Sequence, residues 1–270
     1  MMQSGGWWRA DMREIIEEAH KHMDDGYGRA QAHTKIQLPK RFYKKAEVGE
    51  TAEGFSILLD GRATKTPGRI PVLLPSRDLA KLMAEEWQAQ ESHIDAASMP
   101  VVRLVNSAVE GGKAALGALR GEILSFAGND LLLFRADSPA ELVALQEKHW
   151  DAMLTKISRH FSVKFRPVVG VIHQDQPEAT LRKLKSSLSD LNHFAATALM
   201  SITGLTGSGL LAIALRHGLA DGTSVWEAAH VDEDYNARVW GADGEAEARL
   251  EKRRAEFDAA LKVLALVDKV

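Results

Sequence analysis

The spacing of apolar residues changes near Ser76 from every second residue to about every 3.6 residues, and this change constrains the fold most. In residues 55–59 (FSILL) the large apolar residues alternate, which is typical of a strand with one buried face. In residues 79–87 they recur three or four positions apart, as on one face of a helix. We therefore predict an α+β protein, with a small antiparallel β-containing N-terminal domain followed by a larger, mainly helical domain.

The β unit is predicted over residues 40–75. Asp60-Gly61 follows the alternating run and favours a tight hairpin, because a type I′ turn needs positive φ at both central residues. Three prolines confine the next short strand, Val72–Leu74, to an edge or to a sheet boundary; they are Pro67, Pro71 and Pro75. Seven basic and four acidic residues give this unit a local charge of +3.

The rest of the chain has helical periodicity. Ser138, with Pro139 at the first helical position, is expected to open a long helix, and Pro177 is expected to start another. Residues 194–215 are apolar on most sides, which favours a central helix or a bent pair. Two polar helices are predicted at about 224–240 and 244–267. The predicted organisation is a lead-in helix and linker at 1–39, a small β domain at 40–75 and a mainly helical domain at 76–270.

Composition excludes several kinds of function. The chain has 34 basic and 37 acidic residues, a net charge of −3, which argues against nucleic-acid binding by bulk electrostatics. It has no cysteine, which excludes disulfides, thiolate zinc sites, iron–sulfur clusters and thiol catalysis. No apolar run approaches the roughly 20 residues that span a bilayer. The acidic N-terminal region resembles neither a presequence nor a secretory signal. We expect a cytoplasmic, bacterial protein with no stable membrane association.

Two sequence patterns suggest an enzyme only weakly. The glycines of Gly204–Gly209 have the spacing of a phosphate-binding loop, but Leu210 stands where the phosphate-binding lysine is required, so a helix break is the preferred interpretation. The run His230–Asp234 contains potential metal ligands, yet on a helix these side chains point in several directions. We predict no metal, no cofactor and no catalytic residue.

Two residues and one acidic run are candidates for functional or structural roles. Trp87 could be a surface hot spot, but its alignment with the helical stripe favours core packing. Arg103 could touch a ligand, although such residues more often brace a helix end. Residues 226–258 contain ten acidic and five basic residues, a local charge of −5. Within them Asp232, Glu233 and Asp234 are consecutive, with no basic residue among them, so helical i, i+4 pairing explains this run least well.

Six groups of residues, in order, resemble the assembly chaperones that handle the alpha subunit of the F-type ATP synthase catalytic head. They are Lys40–Tyr43; Leu58–Arg62 with Lys65–Pro67; Glu86-Trp87 with Gln90; Met99-Pro100 with Arg103, Leu104 and Asn106; Asp130–Leu132 with Phe134–Ala136; and Asp232–Tyr235 with Trp240-Gly241. The similarity extends from about Lys40 to Leu266, and residues 1–39 match the family poorly.

This resemblance implies a chaperone and not an enzyme. It implies that the protein binds new alpha subunit before that subunit joins beta. We also expect the protein to be monomeric when free. The acidic stretch is where the family has a residue needed for function, so Asp232, Glu233 and Asp234 are expected to bind the partner. Trp87, Arg103 and Trp240 are expected to be structural motif residues. Another protein-binding adaptor, or less readily a nucleotide-binding hydrolase, remains an alternative.

Overall fold

The computed structural model describes residues 38–241 and 244–267, and Pro39–Val270 form one compact unit. The predicted lead-in helix and linker at 1–39 lies outside the described residues, except for its last two. The strands are β1 (Ala46–Thr51), β2 (Gly54–Leu59), β3 (Arg62–Ala63), β4 (Phe134–Arg135) and β5 (Val168–Val169). The helices are α1 (Arg77–Gln88), α2 (Pro100–Gly111), α3 (Leu116–Gly128), α4 (Ala140–Gln146), α5 (Ala152–Phe161), α6 (Glu178–Ser186), α7 (His193–Thr206), α8 (Gly209–Arg216), α9 (Gly222–Ala229), α10 (Val231–Trp240) and α11 (Gly244–Val267). The α+β prediction is confirmed.

The first three strands form an antiparallel sheet in chain order. Ala46 lies opposite Leu59 in the β1–β2 pair, and Leu59 lies opposite Arg62 in the β2–β3 pair. The predicted hairpin joins β2 to β3, with φ of 48° at Asp60 and 78° at Gly61. Alternate β2 residues reach the same hydrophobic core as the helices that follow.

Helix α1 covers the sheet as its apolar stripe predicts. The Ser76 side chain caps the helix by accepting a hydrogen bond of 3.2 Å from the Leu79 backbone N–H. Leu79 and Met83 are fully buried. Trp87 is only half-buried, and its carbonyl oxygen accepts a 2.6 Å hydrogen bond from the Tyr43 hydroxyl. The prediction that Trp87 packs against the core is confirmed for part of its surface.

The apolar stretch predicted as a central helix or a bent pair forms the pair α7 and α8. Gly207 ends α7 in the left-handed conformation, with φ of 66°. Ser208 then caps α8, because its hydroxyl accepts a 3.0 Å hydrogen bond from the Leu211 N–H. The glycine-rich segment therefore marks a helix break and not a phosphate-binding loop.

Two helix boundaries differ from the sequence predictions. The helix expected to be capped by Ser138 begins at Ala140 without a side-chain cap, because the Ser138 hydroxyl donates to Asp137 instead. The helix expected at 224–240 divides at His230 into α9 and α10. The His230 ring is buried, stacks on Trp226 at 3.9 Å and holds the Trp226 carbonyl oxygen through Nδ1 at 2.8 Å. Side-chain packing thus stops the first helix where residue preferences alone show no break.

The buried carboxylate of Asp130 links two helices within the helical part of the fold. Asp130 accepts hydrogen bonds from the Ser208 hydroxyl at 2.7 Å, the Leu210 N–H at 2.9 Å and the Leu132 N–H at 3.1 Å. These contacts hold the start of α8 against the end of α3. Burial raises the pKa of the Asp130 carboxyl from 3.8 to about 6, against the opposing effect of the hydrogen bonds.

We expect Asp130 to make the free energy of unfolding depend on pH. Between about pH 4 and pH 6 the folded chain binds more protons at this site than the unfolded chain. The contribution of Asp130 to stability is therefore present at low pH and is lost as pH rises through about 6. The change is on the order of 3 kcal/mol. Urea unfolding of wild type and Asp130→Asn from pH 4.5 to 7.5 should show a stability difference that favours wild type most at the acidic end. A difference that grows with pH would contradict this assignment.

The polar helix predicted at 244–267 has these bounds. Its C-terminal half buries Phe257, Val263 and Val267. It packs along α7 and α2, and the Arg103 guanidinium on α2 pairs with Glu256 at 2.7 Å. Arg103 also donates to the Ala96 carbonyl oxygen, so it braces helices as the sequence analysis preferred. None of the helices in the described ranges is both long and apolar enough to cross a membrane.

Candidate functional site

Helix α10 carries the acidic run. Its first residue, Val231, is buried and fixes the helix to the core, while Asp232, Glu233 and Asp234 occupy its first turn. Carboxylates are favourable at this end, because the helix dipole places partial positive charge there. The structure therefore gives the acidic run a local electrostatic reason before any partner is considered.

Asp232 faces the protein interior. It is half-buried and accepts a 2.8 Å hydrogen bond from the Gln146 side-chain amide. The other end of that amide accepts a 2.9 Å hydrogen bond from the Ala136 backbone N–H. Asp232 thus helps to join α10 to the end of α4. That Asp232 binds the partner stays a prediction, and one of its carboxylate oxygens already accepts this internal hydrogen bond.

Glu233 is exposed and has a basic partner from another helix. Arg253 on α11 places Nη1 3.3 Å from both carboxylate oxygens of Glu233, and the buried His230 Nε2 lies 3.7 Å from one of them. The interpretation of the run as uncompensated is therefore wrong for Glu233. An exposed ion pair of this kind contributes little stability, about 0–1 kcal/mol, so a partner could exchange it.

Asp234 is exposed and has no ion pair among the described residues. Partial burial raises the pKa of its carboxyl, while His230 opposes this shift and Glu233 and Glu227 add to it. A carboxylate in this setting gains from an approaching cation. Asp234 is therefore the member of the run best placed to bind a partner.

The other end of α10 presents apolar side chains to solvent. Trp240 is 83% exposed and Val239 is 46% exposed. The expectation that Trp240 is a structural motif residue stays a prediction, and its side chain is largely exposed. Glu233 and Trp240 are seven residues apart and so lie on the same side of the helix, while Asp234 and Val239 flank that side, each turned roughly 100–120° away from Glu233. We call Glu233, Asp234, Val239 and Trp240 together the α10 surface.

One sequence feature indicates that the end of α10 exposes apolar side chains, although the polar composition of this helix does not suggest it. Val239-Trp240 directly precedes Gly241, at the end of a polar helix where a buried aromatic would have little to pack against. Arg238, one residue earlier, is held by an ion pair of 2.7 Å to Glu141, and its guanidinium lies 5.4 Å from the centre of the Tyr235 ring. The α10 surface is thus anchored to α4 while Trp240 projects into solvent.

Several residues of the sequence motifs have internal roles instead. The Glu86 carboxylate caps α2 by accepting hydrogen bonds from the N–H groups of Val101 and Val102 at 2.9 and 2.8 Å. Burial raises the pKa of Glu86, against these hydrogen bonds. Arg135 pairs with Asp151 at 2.5 Å. These motif residues hold the fold that presents α10.

The described residues provide no metal-binding cluster. No group of three or more histidine, aspartate or glutamate side chains within residues 38–241 and 244–267 could hold a metal ion. The potential ligand His230 is stacked on Trp226 and bonded to the backbone. The α10 surface offers exposed carboxylates and an exposed tryptophan to solvent.

Comparisons with known proteins found one matching family model and several similar solved structures. The family model described as ATP12 chaperone protein matches residues 40–158. The crystal structure of Atp12 from Paracoccus denitrificans has 34% identity and a TM-score of 0.78, and the match covers 84% of this chain and 98% of that one. An Asp-to-Lys mutant of P. denitrificans Atp12p has 33% identity and a TM-score of 0.78, covering 84% and 97% of the two chains.

A third structure extends the similarity over almost the whole chain. It is a candidate chaperone from Agrobacterium tumefaciens with 38% identity and a TM-score of 0.81, and the match covers 96% of this chain and 98% of that one. Each of these relatives is more than 30% identical to this chain over nearly its full length. The sequence motifs and the fold therefore indicate the same family. The chain belongs to the ATP12 chaperone family, whose members are assembly chaperones of the ATP synthase and not enzymes.

Proposed function

We propose that this chain captures the unassembled alpha subunit of the F-type ATP synthase in the cytoplasm and docks it on the α10 surface until the subunit joins beta. The observation that carries the proposal is an 83% exposed tryptophan on the same short helix as an exposed carboxylate that has no ion pair within the described ranges. A few residues carry most of the binding energy of a protein interface, and tryptophan is common among them. Trp240 is the residue of this kind on the α10 surface. Asp234 supplies a charge for a basic residue of the client.

A chaperone of this kind must release its client. An alpha subunit outside the catalytic head exposes apolar surface that is otherwise covered by beta, and such patches associate with wrong partners. A small, partly polar interface protects this surface and still lets beta compete for it. The exchangeable pair between Glu233 and Arg253 suits this requirement, because breaking it costs little and frees a second carboxylate. No nucleotide is needed for release.

Binding of purified subunits tests this proposal. The chain labelled with a fluorophore should bind purified alpha subunit, should bind purified beta subunit at least 100-fold more weakly, and should release alpha when beta is added. The complex should weaken as salt rises from 50 to 500 mM, because exposed charges are screened. Equal affinity for both subunits, or for an unrelated unfolded protein, would contradict the proposal. Binding to neither subunit would favour a different protein-binding adaptor.

A further inference from the structure

A second surface with the opposite charge lies between the β2–β3 hairpin and α1. It is a cavity of about 470 Å³ whose wall includes Phe42, Tyr43, Arg62, Lys65 and Trp87. This volume is within the range of about 300–1,000 Å³ that is usual for binding pockets. We call it the aromatic groove.

The apolar wall of the aromatic groove is rigid. The Tyr43 ring meets the Trp87 ring edge to face, at 5.7 Å between centroids and 76° between planes, and the Tyr43 hydroxyl is bonded to the Trp87 backbone. Phe42 meets the other side of Tyr43 at 5.3 Å but is itself 73% exposed. Two fixed rings and one projecting ring form a preformed site for an apolar side chain.

The rim of the groove carries unbalanced positive charge. Arg62 and Lys65 are exposed, and neither has an ion pair among the described residues. The one carboxylate in the wall, Asp60, is already occupied: its oxygens accept hydrogen bonds from the backbone N–H groups of Lys45 at 2.9 Å and Lys44 at 3.1 Å. These bonds lower the pKa of Asp60 and keep it ionised and turned toward the backbone. Asp60 keeps its negative charge, so Arg62, Lys65 and Asp60 together leave the groove with an excess of one positive charge.

Two groove residues carry a buried polar atom with no hydrogen-bond partner among the described residues, namely the Thr64 hydroxyl and the Trp87 indole N–H. Both atoms are shielded from solvent, so neither is open to a ligand in the groove. The cations of the rim and the aromatic wall together fit a ligand that is both acidic and apolar.

We propose that the aromatic groove binds an acidic peptide segment with an apolar side chain, contributed by the captured alpha subunit, as a second contact besides the α10 surface. This inference rests on the proposed function. A client with a basic patch for α10 and an acidic segment for the groove could dock in only one orientation, because the two surfaces carry opposite charge. A single-stranded nucleic acid also suits aromatic and basic residues, but the net charge of −3 and only two free cations favour the peptide.

Charge reversal in the groove tests the inference. Arg62→Glu with Lys65→Glu should weaken alpha binding at least 10-fold, because a free carboxylate then meets the acidic segment. The matched control is Lys148→Glu with Lys185→Glu, which makes the same change in net charge at exposed residues of other elements. The control should bind within twofold of wild type, and both variants should unfold at the wild-type temperature. If wild type binds alpha and the groove variant binds it equally well, this inference fails while the proposed function stands. If wild type itself fails to bind alpha, the proposed function fails.

Photo-crosslinking identifies the occupant directly. Phe42→p-benzoylphenylalanine places the probe at the exposed edge of the groove, and mass spectrometry of the complex should find it joined to an alpha peptide of net negative charge. The same probe in place of Trp240 should label a different, basic segment. A crosslink from position 42 to a basic alpha segment or to a second copy of this chain would overturn the inference. Loss of the crosslink on adding a single-stranded oligonucleotide, but not on adding a poly-glutamate peptide, would also overturn it.

Discussion

Gly209→Ala is expected to prevent the chain from accumulating in soluble form. Gly209 is the first residue of α8, and it is buried. A Cβ atom added there would lie 2.6 Å from the Ala127 backbone nitrogen and would also clash with the Ile123 carbonyl oxygen, both in α3. Backbone atoms cannot turn away as a side chain can, so α3 and α8 would have to separate.

The separation would also break the buried hydrogen bonds at Asp130. The Leu210 N–H and the Ser208 hydroxyl, which flank Gly209, are donors to that carboxylate. Overpacking costs about 1–3 kcal/mol, and a buried carboxylate that loses its donors adds a comparable amount. Because a domain is stable by only about 5–15 kcal/mol, the sum removes a large part of the total.

Gly204→Ala is the matched control for this prediction. Gly204 is in α7, is exposed, and has open space where its Cβ would lie. Alanine is better than glycine inside a helix by about 1 kcal/mol, so this variant should be as stable as wild type or more stable. Soluble yield and the midpoint of urea unfolding measure both variants. A Gly209→Ala protein that unfolds like wild type would show that α3 and α8 can separate freely at this point.

Local sequence patterns predicted the parts of the fold that depend on neighbouring residues. The Asp60-Gly61 turn, the bent pair at 193–216 and the bounds of α11 all follow from residues within a few positions of one another. The break at His230 was missed, because it depends on the buried His230 ring stacking on the half-buried Trp226. Periodicity reports which face a helix buries but not where packing interrupts it.

The site was predicted in outline and misjudged in detail for the same reason. The acidic run was identified, but the partners of Asp232 and Glu233 come from Gln146 and Arg253, which are 86 and 20 residues away. A count of charges along the chain cannot show such pairs. The basic excess of the β unit was also noted, whereas the rings that make it a groove come from β-unit and α1 residues that only the fold brings together.

Reversing Glu233 and Asp234 together to lysine is expected to abolish capture of the alpha subunit while the chain stays folded. Neither side chain is buried, and Asp232, which holds Gln146, is left unchanged. The free energy of unfolding should fall only slightly. The variant loses one exposed ion pair with Arg253 and places two cations near the positive end of the α10 dipole. Each of these two effects costs about 0.3–1 kcal/mol. Binding should fall far more, because each carboxylate that pairs with a cation of the alpha subunit is replaced by a lysine that repels that cation. Disrupting a buried interfacial charge pair costs about 2–5 kcal/mol, or roughly 30-fold to several thousand-fold in affinity.

The control for this variant is Glu85→Lys with Glu122→Lys, which changes net charge by the same amount at exposed residues of α1 and α3. Thermal unfolding and alpha binding should be measured on the same preparations at 150 mM salt. If the α10 variant loses alpha and the control retains it, the first turn of α10 contacts the client. Equal losses would mean that overall charge steers the client and that no residue of the run is specific. Full binding by the α10 variant would exclude this helix as the docking site. Because Asp232 is intact in every protein compared, a loss in the α10 variant could not be attributed to the internal bond that joins α10 to α4.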